Sequence, residues 1–474
     1  MILHIGRVVL VLFEVLVIFN LLIVVHEIGH FLAARWRGLY IEKFGIWFGK
    51  PLWKKKINGV QYSLGSLPFG GFVALPQLAP MDIIEGKADI DRSELPPISA
   101  LDKIIVAIAG PFFSFMLAFV FAALVWAAGY PVSESDMSTT IGYVMPDSPA
   151  KGKVQAGDKI LEVDGKRVTR FLGMNDSVSW AVVRSEGETI SLKLERDGQV
   201  RTIEVEPYRA ESRGWFRRKS VRQLLLLPSE TALVAKVEPD SPAAGAGLQK
   251  GDIIRAINGE KIYSPVAMSE QTRAHPNDSM ILQVERNGAT REVKVTPVPM
   301  KAEGEKEAKP RIGITWDTQM AISHPSPIEL VENSVTSTFN TMGAVASRKS
   351  DVGLQHLSGP FGIARLYYLF LVSEHGWQLA LWLSVVLNVN LAILNMLPIP
   401  VLDGGHILFG VIESVRRKPL NIKFLEVVQG ACTLLIIGLI AYISFFDVQD
   451  WPWIKHVLDK YAPQAQKAKN QDVP

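Results

Sequence analysis

The chain has 474 residues, 48% of them hydrophobic and only 20% charged, with a mean hydropathy of +0.19. Soluble proteins carry about 25% charged residues, so the composition excludes a disordered or collagen-like chain and points to membrane helices joined to soluble parts, about three domains at ~150 residues each. The net charge of +3 argues against a dedicated nucleic-acid binder, and the single cysteine, Cys432, excludes an internal disulfide and a cysteine-based zinc finger.

In chain order, the first apolar stretch is predicted to span the bilayer at 8–34. Between Arg7 and Arg35 its only acids are Glu14 and Glu27. It is too long for the 7–15-residue apolar core of a secretory signal, and it carries His26, Glu27 and His30. Residues 57–76 are apolar and glycine-rich but too short to span. With Tyr62, Leu64, Phe69 and Phe72 they read as a β-hairpin dipping into the membrane. Further spans are predicted at 104–130, 376–403 and 427–446, each long enough for ~30 Å of hydrocarbon. Short basic loops follow the first and third spans, with Arg35, Arg37, Lys43, Lys50 and Lys54–Lys56 in one and Arg416, Arg417, Lys418 and Lys423 in the other. The positive-inside rule makes both loops cytoplasmic and puts the termini and the long segment 134–375 outside.

That outside segment contains a repeat. Pro146-Asp147-Ser148-Pro149-Ala150 matches Pro239-Asp240-Ser241-Pro242-Ala243, Gly157-Asp158 matches Gly251-Asp252, Asp164-Gly165 matches Asn258-Gly259, and Arg196-Asp197-Gly198 matches Arg286-Asn287-Gly288. Four matches in order, at offsets of 90 to 94 residues, mean two copies of one domain. The Asp-Gly and Asn-Gly pairs signal hairpins, and a short helix is expected after each Ser-Pro-Ala, with Ser148 or Ser241 as N-cap. The pattern resembles PDZ domains of bacterial envelope proteases, with copies at 131–220 and 221–300. Such domains bind extended peptides at a sheet edge, although the carboxylate-binding loop is poorly matched at Ile141-Gly142-Tyr143-Val144 and Leu233-Val234-Ala235. Residues 301–375 begin as a charged linker, 301–310, and continue as amphipathic helices. Ile328, Val331, Val335, Phe339, Met342 and Val345 recur at helical spacing, which suits a helix lying on the outer membrane interface.

The chemistry concentrates in His26-Glu27-Ile28-Gly29-His30. Histidines at i and i+4 share one helix face and can share one zinc. Glu27 can reach a water at that metal without ligating it, as in HExxH zinc proteases. Ionisable groups at bilayer depth cost at least ~2.5 kcal/mol each, so a cluster of three is a functional signal. A catalytic zinc wants a third protein ligand. The run Asn395-Met396-Leu397-Pro398-Ile399-Pro400-Val401-Leu402-Asp403-Gly404-Gly405-His406 ends the third span. Prolines at 398 and 400 break the helix there, and Asp403 is delivered to the break, with His406 a rival by chemistry alone.

HExxH in a first span paired with NxxPxPxLDG in a later one resembles the site-2 protease family of intramembrane zinc metalloproteases, over essentially the whole chain. The resemblance implies a multi-pass α-helical membrane protein with four transmembrane helices, two tandem β-rich PDZ domains and a membrane re-entrant β-hairpin. It implies Zn2+ bound by His26, His30 and Asp403, with Glu27 as general base and Asn395 and the nearby Asn390 as substrate contacts. The implied substrates are single-pass membrane proteins already trimmed on the periplasmic side, of the anti-sigma-factor type, with remnant signal peptides as further candidates. The implied setting is regulated intramembrane proteolysis in an envelope stress response, at the bacterial inner membrane, with the lipid bilayer as partner and no nucleic acid. The competing reading is a non-catalytic PDZ envelope sensor or scaffold.

Overall fold

A computed structural model describes residues 2–78, 95–210, 218–301 and 307–449. It divides into two compact units: Met1–Tyr130, His324–Thr341 and Leu354–Pro474 form one, and Pro131–Ser323 with Met342–Gly353 form the other.

In the first unit, four helices among the described residues are long and apolar enough to cross a membrane: Gly6–Trp36, Ala100–Ala128, Gly376–Asn395 and Ile422–Gln449. A chain in hydrocarbon must bond its own amides and carbonyls, which a helix does within one segment. Helix α1 (Ile2–Trp36) stops at Gly38, whose φ of +75° suits glycine, and Leu39 N–H reaches back to the Ala34 carbonyl at 2.9 Å.

After α1 come strands β1 (Lys43–Ile57) and β2 (Val60–Ala74), joined by Asn58-Gly59, both at positive φ. The expected hairpin at 57–76 is therefore only half of the sheet. The pair also doubles back on itself, so Lys43–Ile46 lies between Gln61–Leu64 and Gly71–Ala74, while Trp53–Ile57 pairs outside Val60–Leu64. Two strands thus make four rows. β1 lacks the alternating pattern of a half-buried strand because most of its residues from Gly49 onward are exposed on both faces, so nothing in its sequence announced it.

Helix α2 (Ala100–Ala128) begins at Ser99, whose side chain accepts the Asp102 N–H at 3.1 Å. It packs against α1 through glycine. A Cβ on Gly29 would come within 2.4 Å of the Ala109 carbonyl oxygen. Helix α3 (Pro327–Ala346) is amphipathic as expected, and its apolar stripe is partly covered, with Ile328 and Phe339 exposed. Leu330 and Val331 are buried in one cluster with Ala118, Phe121 and Val125 of α2 and with Val385 and Val389 farther on. Helix α4 (Pro360–Leu371) precedes α5 (Gly376–Asn395), which carries Val385 and Val389.

The chain then breaks over 396–402 and restarts as α6 (Asp403–Arg416). The third span therefore ends at Asn395 rather than 403, and the stretch read as a loop is mostly helix. Its Glu413 pairs with Lys103 of α2 at 2.7 Å. Helix α7 (Ile422–Gln449) is the last described element and is longer than the 427–446 expected.

The second unit holds two lobes of one plan. In the first, strands Lys159–Val163, Ile190–Arg196 and Gln199–Val205 form a sheet with the helix Val178–Arg184. In the second, Ile253–Ile257, Met280–Arg286 and Ala289–Val295 do the same with the helix Pro265–Ala274. Each lobe has its own core, with Ile160, Leu192 and Leu194 fully buried in one and Leu282 and Val284 in the other.

The repeated Gly-Asp and Arg-Asx-Gly words turn out to be two halves of one interaction. Asp158 accepts from Arg196 at 2.6 and 2.7 Å, and Asp252 accepts from Arg286 Nη2 at 2.6 Å. The guanidinium beside it holds the Asp158 carboxyl below the ordinary carboxylate range, against the upward push of burial.

The lobes close with strands that the repeat does not cover. Leu226–Pro228 pairs with Ile141–Val144, and Ile314–Asp317 pairs with Ala232–Val237. The first lobe thus runs past residue 220 and the second past 300. The charged linker expected at 301–310 lies partly outside the described residues, at 302–306, and from Lys309 it is already strand. Of the two expected caps, Ser241 caps the helix Pro242–Gly245, whereas Ser148 sits in a turn and donates to the Leu224 carbonyl at 2.7 Å.

Candidate metal centre

The HExxH segment sits in α1, two turns before its end. The helix period puts His26 and His30 on the face turned to α2, where both are buried. His30 Nδ1 lies 2.8 Å from the Val106 carbonyl oxygen. A carbonyl only accepts, so Nδ1 carries the proton, and in the neutral ring Nε2 is left with its lone pair. His26 Nδ1 is held by Ser114 Oγ at 3.0 Å. Outer partners of this kind orient metal-binding imidazoles.

The two Nε2 atoms are 3.2 Å apart. Asp403, the first residue of α6, faces both: its Oδ2 is 3.2 Å from His26 Nε2 and its Oδ1 is 3.3 Å from His30 Nε2. Although Oδ2 is buried and that close to an imidazole, it has no hydrogen-bond partner. With His26 in the tautomer that leaves the Nε2 lone pair free, acceptor atoms converge here without a donor between them. A cation resolves that arrangement. Tetrahedral ligands at about 2.0–2.1 Å from zinc stand roughly 3.3 Å from one another, which is the spacing found. The residues therefore fit the metal that the sequence implied.

Tight backbone approach makes the geometry possible. A Cβ on Gly110 of α2 would lie 2.2 Å from His30 Nε2 and 2.8 Å from His26 Nε2, so only glycine leaves that space. Cβ atoms on Gly404 and Gly405 would strike the Leu397 and Ile399 carbonyl oxygens at 2.2 and 2.3 Å. These two glycines let α6 start hard against the broken segment and bring Asp403 back to α1.

Glu27 points to the same cavity of about 220 Å³, which Asn395 and His406 also line. Strand β2 passes beside it: a Cβ on Gly71 would lie 3.5 Å from Glu27 Cγ. Asn395 Nδ2 reaches to 3.5 Å from His26 Nε2. The structure does not bring Asn390 to this cavity. Its Oδ1 accepts from Thr338 Oγ1 of α3 instead. His406 is buried on the first turn of α6 and lines the cavity, although Asp403 occupies the ligand position.

Sequence reasoning missed Ser114, Gly110 and the Val106 carbonyl. Ser114 alone carried a signal, as a polar residue inside an uncharged run. Among the described residues, His26, His30 and Asp403 form the one cluster with metal-ligating spacing.

The profile of peptidase family M50 matches residues 14–439. Protease RseP of Yersinia pestis is 28% identical over 454 residues, covering 91% of this chain and 97% of its own. The regulator of sigma-E protease RseP of Escherichia coli K12 is 26% identical over 455 residues, with coverages of 91% and 97%. Among solved structures, the PDZ domain of an SdrC-like protein from Listeria innocua aligns at 23% identity and a TM-score of 0.17, covering 20% of this chain and 100% of its own. Its profile match spans both halves of the metal cluster and nearly every described element: this chain belongs to peptidase family M50.

Proposed function

We propose that this protein is an intramembrane zinc endopeptidase that cuts single-pass membrane proteins within or near their spans, at the bacterial inner membrane. The observation that carries the reading is the convergence of His26 Nε2, His30 Nε2 and the Asp403 carboxylate, three groups delivered by apolar membrane-length helices and the break beside them.

Zinc held there would polarise a scissile carbonyl and make water nucleophilic near neutral pH. Glu27 then accepts the proton of the attacking water and passes it to the leaving amide nitrogen. Asn395, at the rim of the ligand set, donates its Nδ2 hydrogens to a substrate carbonyl. Asn390 supports α3 on α5 by accepting from Thr338.

A helical substrate hides its carbonyls in its own hydrogen bonds and must be unwound first. Gly71–Ala74 of β2 pairs on one side with Lys43–Ile46 and runs past Glu27, so an extended substrate segment can add at its other side. The two lobes, PDZ-like in their repeat pattern, act outside as a filter that admits substrates already trimmed by another protease. The similarity to sigma-E regulators favours an anti-sigma factor as substrate class.

The test is zinc content beside cleavage of a model single-pass substrate, offered with and without its periplasmic domain. About one zinc per chain and cleavage of the trimmed form support the reading. Loss of residues 131–300 should admit the untrimmed form. A metal-free protein with no cleavage of either form overturns the proposal.

A further inference from the structure

The β1–β2 sheet has a second edge, facing away from Glu27, and its composition changes along the strand instead of across it. Leu52 and Trp53 are 67% and 52% exposed, and then come Lys54, Lys55 and Lys56, all exposed. Successive residues point to opposite faces. From Leu52 to Lys56 both faces therefore pass from apolar to basic, with exposed Lys50 before the apolar pair and Ile57 after the lysines. A strand edging into water alternates, or carries charge throughout. A strand crossing from hydrocarbon to headgroups has this lengthwise gradient.

Contacts with α1 fix the levels. Phe44 meets Phe31 with ring centroids 5.4 Å apart, Gly71 faces Ile23 and Glu27, and the Pro68 carbonyl accepts from Asn20 Nδ2 at 3.2 Å. At 1.5 Å per residue, Asn20 lies roughly 22 Å along α1 from Arg35, whereas Phe31 lies only about 6 Å from it. The turn-around near Pro68, with exposed Leu67 and Phe69, is thus the deep end. Lys54, Lys55 and Lys56 pair with Ser63, Tyr62 and Gln61, which in turn pair with Gly45, Phe44 and Lys43. The three lysines therefore stand level with the basic end of α1, and Trp53, opposite Leu64, stands deeper. None of the three has an ion-pair partner among the described residues.

We propose that Lys54, Lys55 and Lys56, backed by Trp53, form a docking strip for the anionic headgroups of the cytoplasmic leaflet. The strip holds the sheet at fixed depth, so that its opposite edge stays level with Glu27. This builds on the orientation argued above but not on the chemistry, and its test needs no catalysis. The occupant is a lipid surface because the lysines are spread along one strand and have no pocket around them.

The experiment places the full chain in nanodiscs of phosphatidylcholine, with or without phosphatidylglycerol, and follows acetylation of each lysine by mass spectrometry. Lys166, exposed in the other unit, is the internal reference. A lysine near an anionic surface gains about fivefold in occupancy. Acetylation of Lys54–Lys56 relative to Lys166 should therefore slow by about fivefold with phosphatidylglycerol and recover at high salt. Inorganic phosphate added to the phosphatidylcholine discs should change nothing. Hydrogen exchange over Pro51–Ile57 should slow with phosphatidylglycerol in the native chain but not in K54Q/K55Q/K56Q. Equal acetylation in the two lipids, or protection by free phosphate, overturns the proposal. Zinc content and cleavage are read separately, so failure here leaves the protease reading standing.

Discussion

Around Asp351, in the β-rich unit, each neighbour is a donor. Arg222, 2% exposed at its side chain, gives Nε at 2.9 Å and its backbone N–H at 3.1 Å, and Arg209 adds Nε at 3.2 Å. The rest of the Arg222 fork is spent on the Gly187 and Lys349 carbonyls. Around Asp403, in the membrane unit, the neighbours are imidazole nitrogens already committed elsewhere through Nδ1, and one carboxylate oxygen has no hydrogen-bond partner. Both carboxylates are largely buried. The first is closed on itself and ties the segment 342–353 to the first lobe, together with the packing of Trp180 on Ala344 and Val352. The second is complete only with a cation. An unsatisfied buried acceptor set, rather than burial or charge as such, is what distinguishes a site from a brace.

The comparison breaks first at the ligands. Asp403→Ala should remove both zinc and cleavage, while His406→Ala should keep most of the zinc. Metal analysis of the two purified variants decides it, and equal loss from both would mean that the ligand set is misread.

Glu27→Gln comes next. It should hold zinc at the native level and lose about 10²–10⁴-fold in cleavage rate, because the amide cannot take a proton. Near-native turnover would remove Glu27 from the chemistry.

Gly110→Ala sharpens the geometric side. The added methyl has nowhere to go but into the imidazoles, so zinc affinity should fall, with an overpacking strain of about 1–3 kcal/mol. Competition with a chelator measures it, and an unchanged affinity would show that α1 and α2 can separate freely.

Asp351→Ala tests the brace. Leaving Arg222 charged and unpaired should loosen the segment 342–353 by about 3–5 kcal/mol while zinc content stays unchanged. Hydrogen exchange over that segment reads it, and a drop in zinc would contradict the separation drawn here.

Acid gives the smallest effect. Burial pushes the Asp351 carboxyl upward, but Arg222 and Arg209 outweigh it and hold it below the ordinary value, as Arg196 does for Asp158. A depressed carboxyl stabilises the fold fully above its unfolded value of about 3.9 and loses that stabilisation as pH falls through the folded one. The β-rich unit of the full chain should therefore weaken only below about pH 4. Weakening that begins near neutrality would point to histidines instead.

Much of this was legible in the sequence because the signals were local. Uncharged runs long enough for a bilayer identify spans, since hydrocarbon tolerates few alternatives. The i, i+4 histidines define a helix face by geometry alone, and the prolines at 398 and 400 announce a break. The repeated Gly-Asp and Arg-Asx-Gly words were visible as a repeat, although not as an ion pair. Tertiary structure alone decided the rest. The strand β1 owes its existence to pairing on both sides with β2, which no period within it encodes. The closing strands at 226–228 and 314–317 are chosen by the open edges they meet, and the two are not alike in sequence. The stripe of α3 has the pattern of an interfacial helix, and only the neighbouring α2 and α5 bury Leu330 and Val331 while Ile328 and Phe339 stay exposed. Above all, residues 26 and 403 are brought within 3.2 Å by three glycines, Gly110, Gly404 and Gly405, whose purpose is the absence of a side chain. A sequence states that a residue is small; only the packed structure shows what its smallness admits.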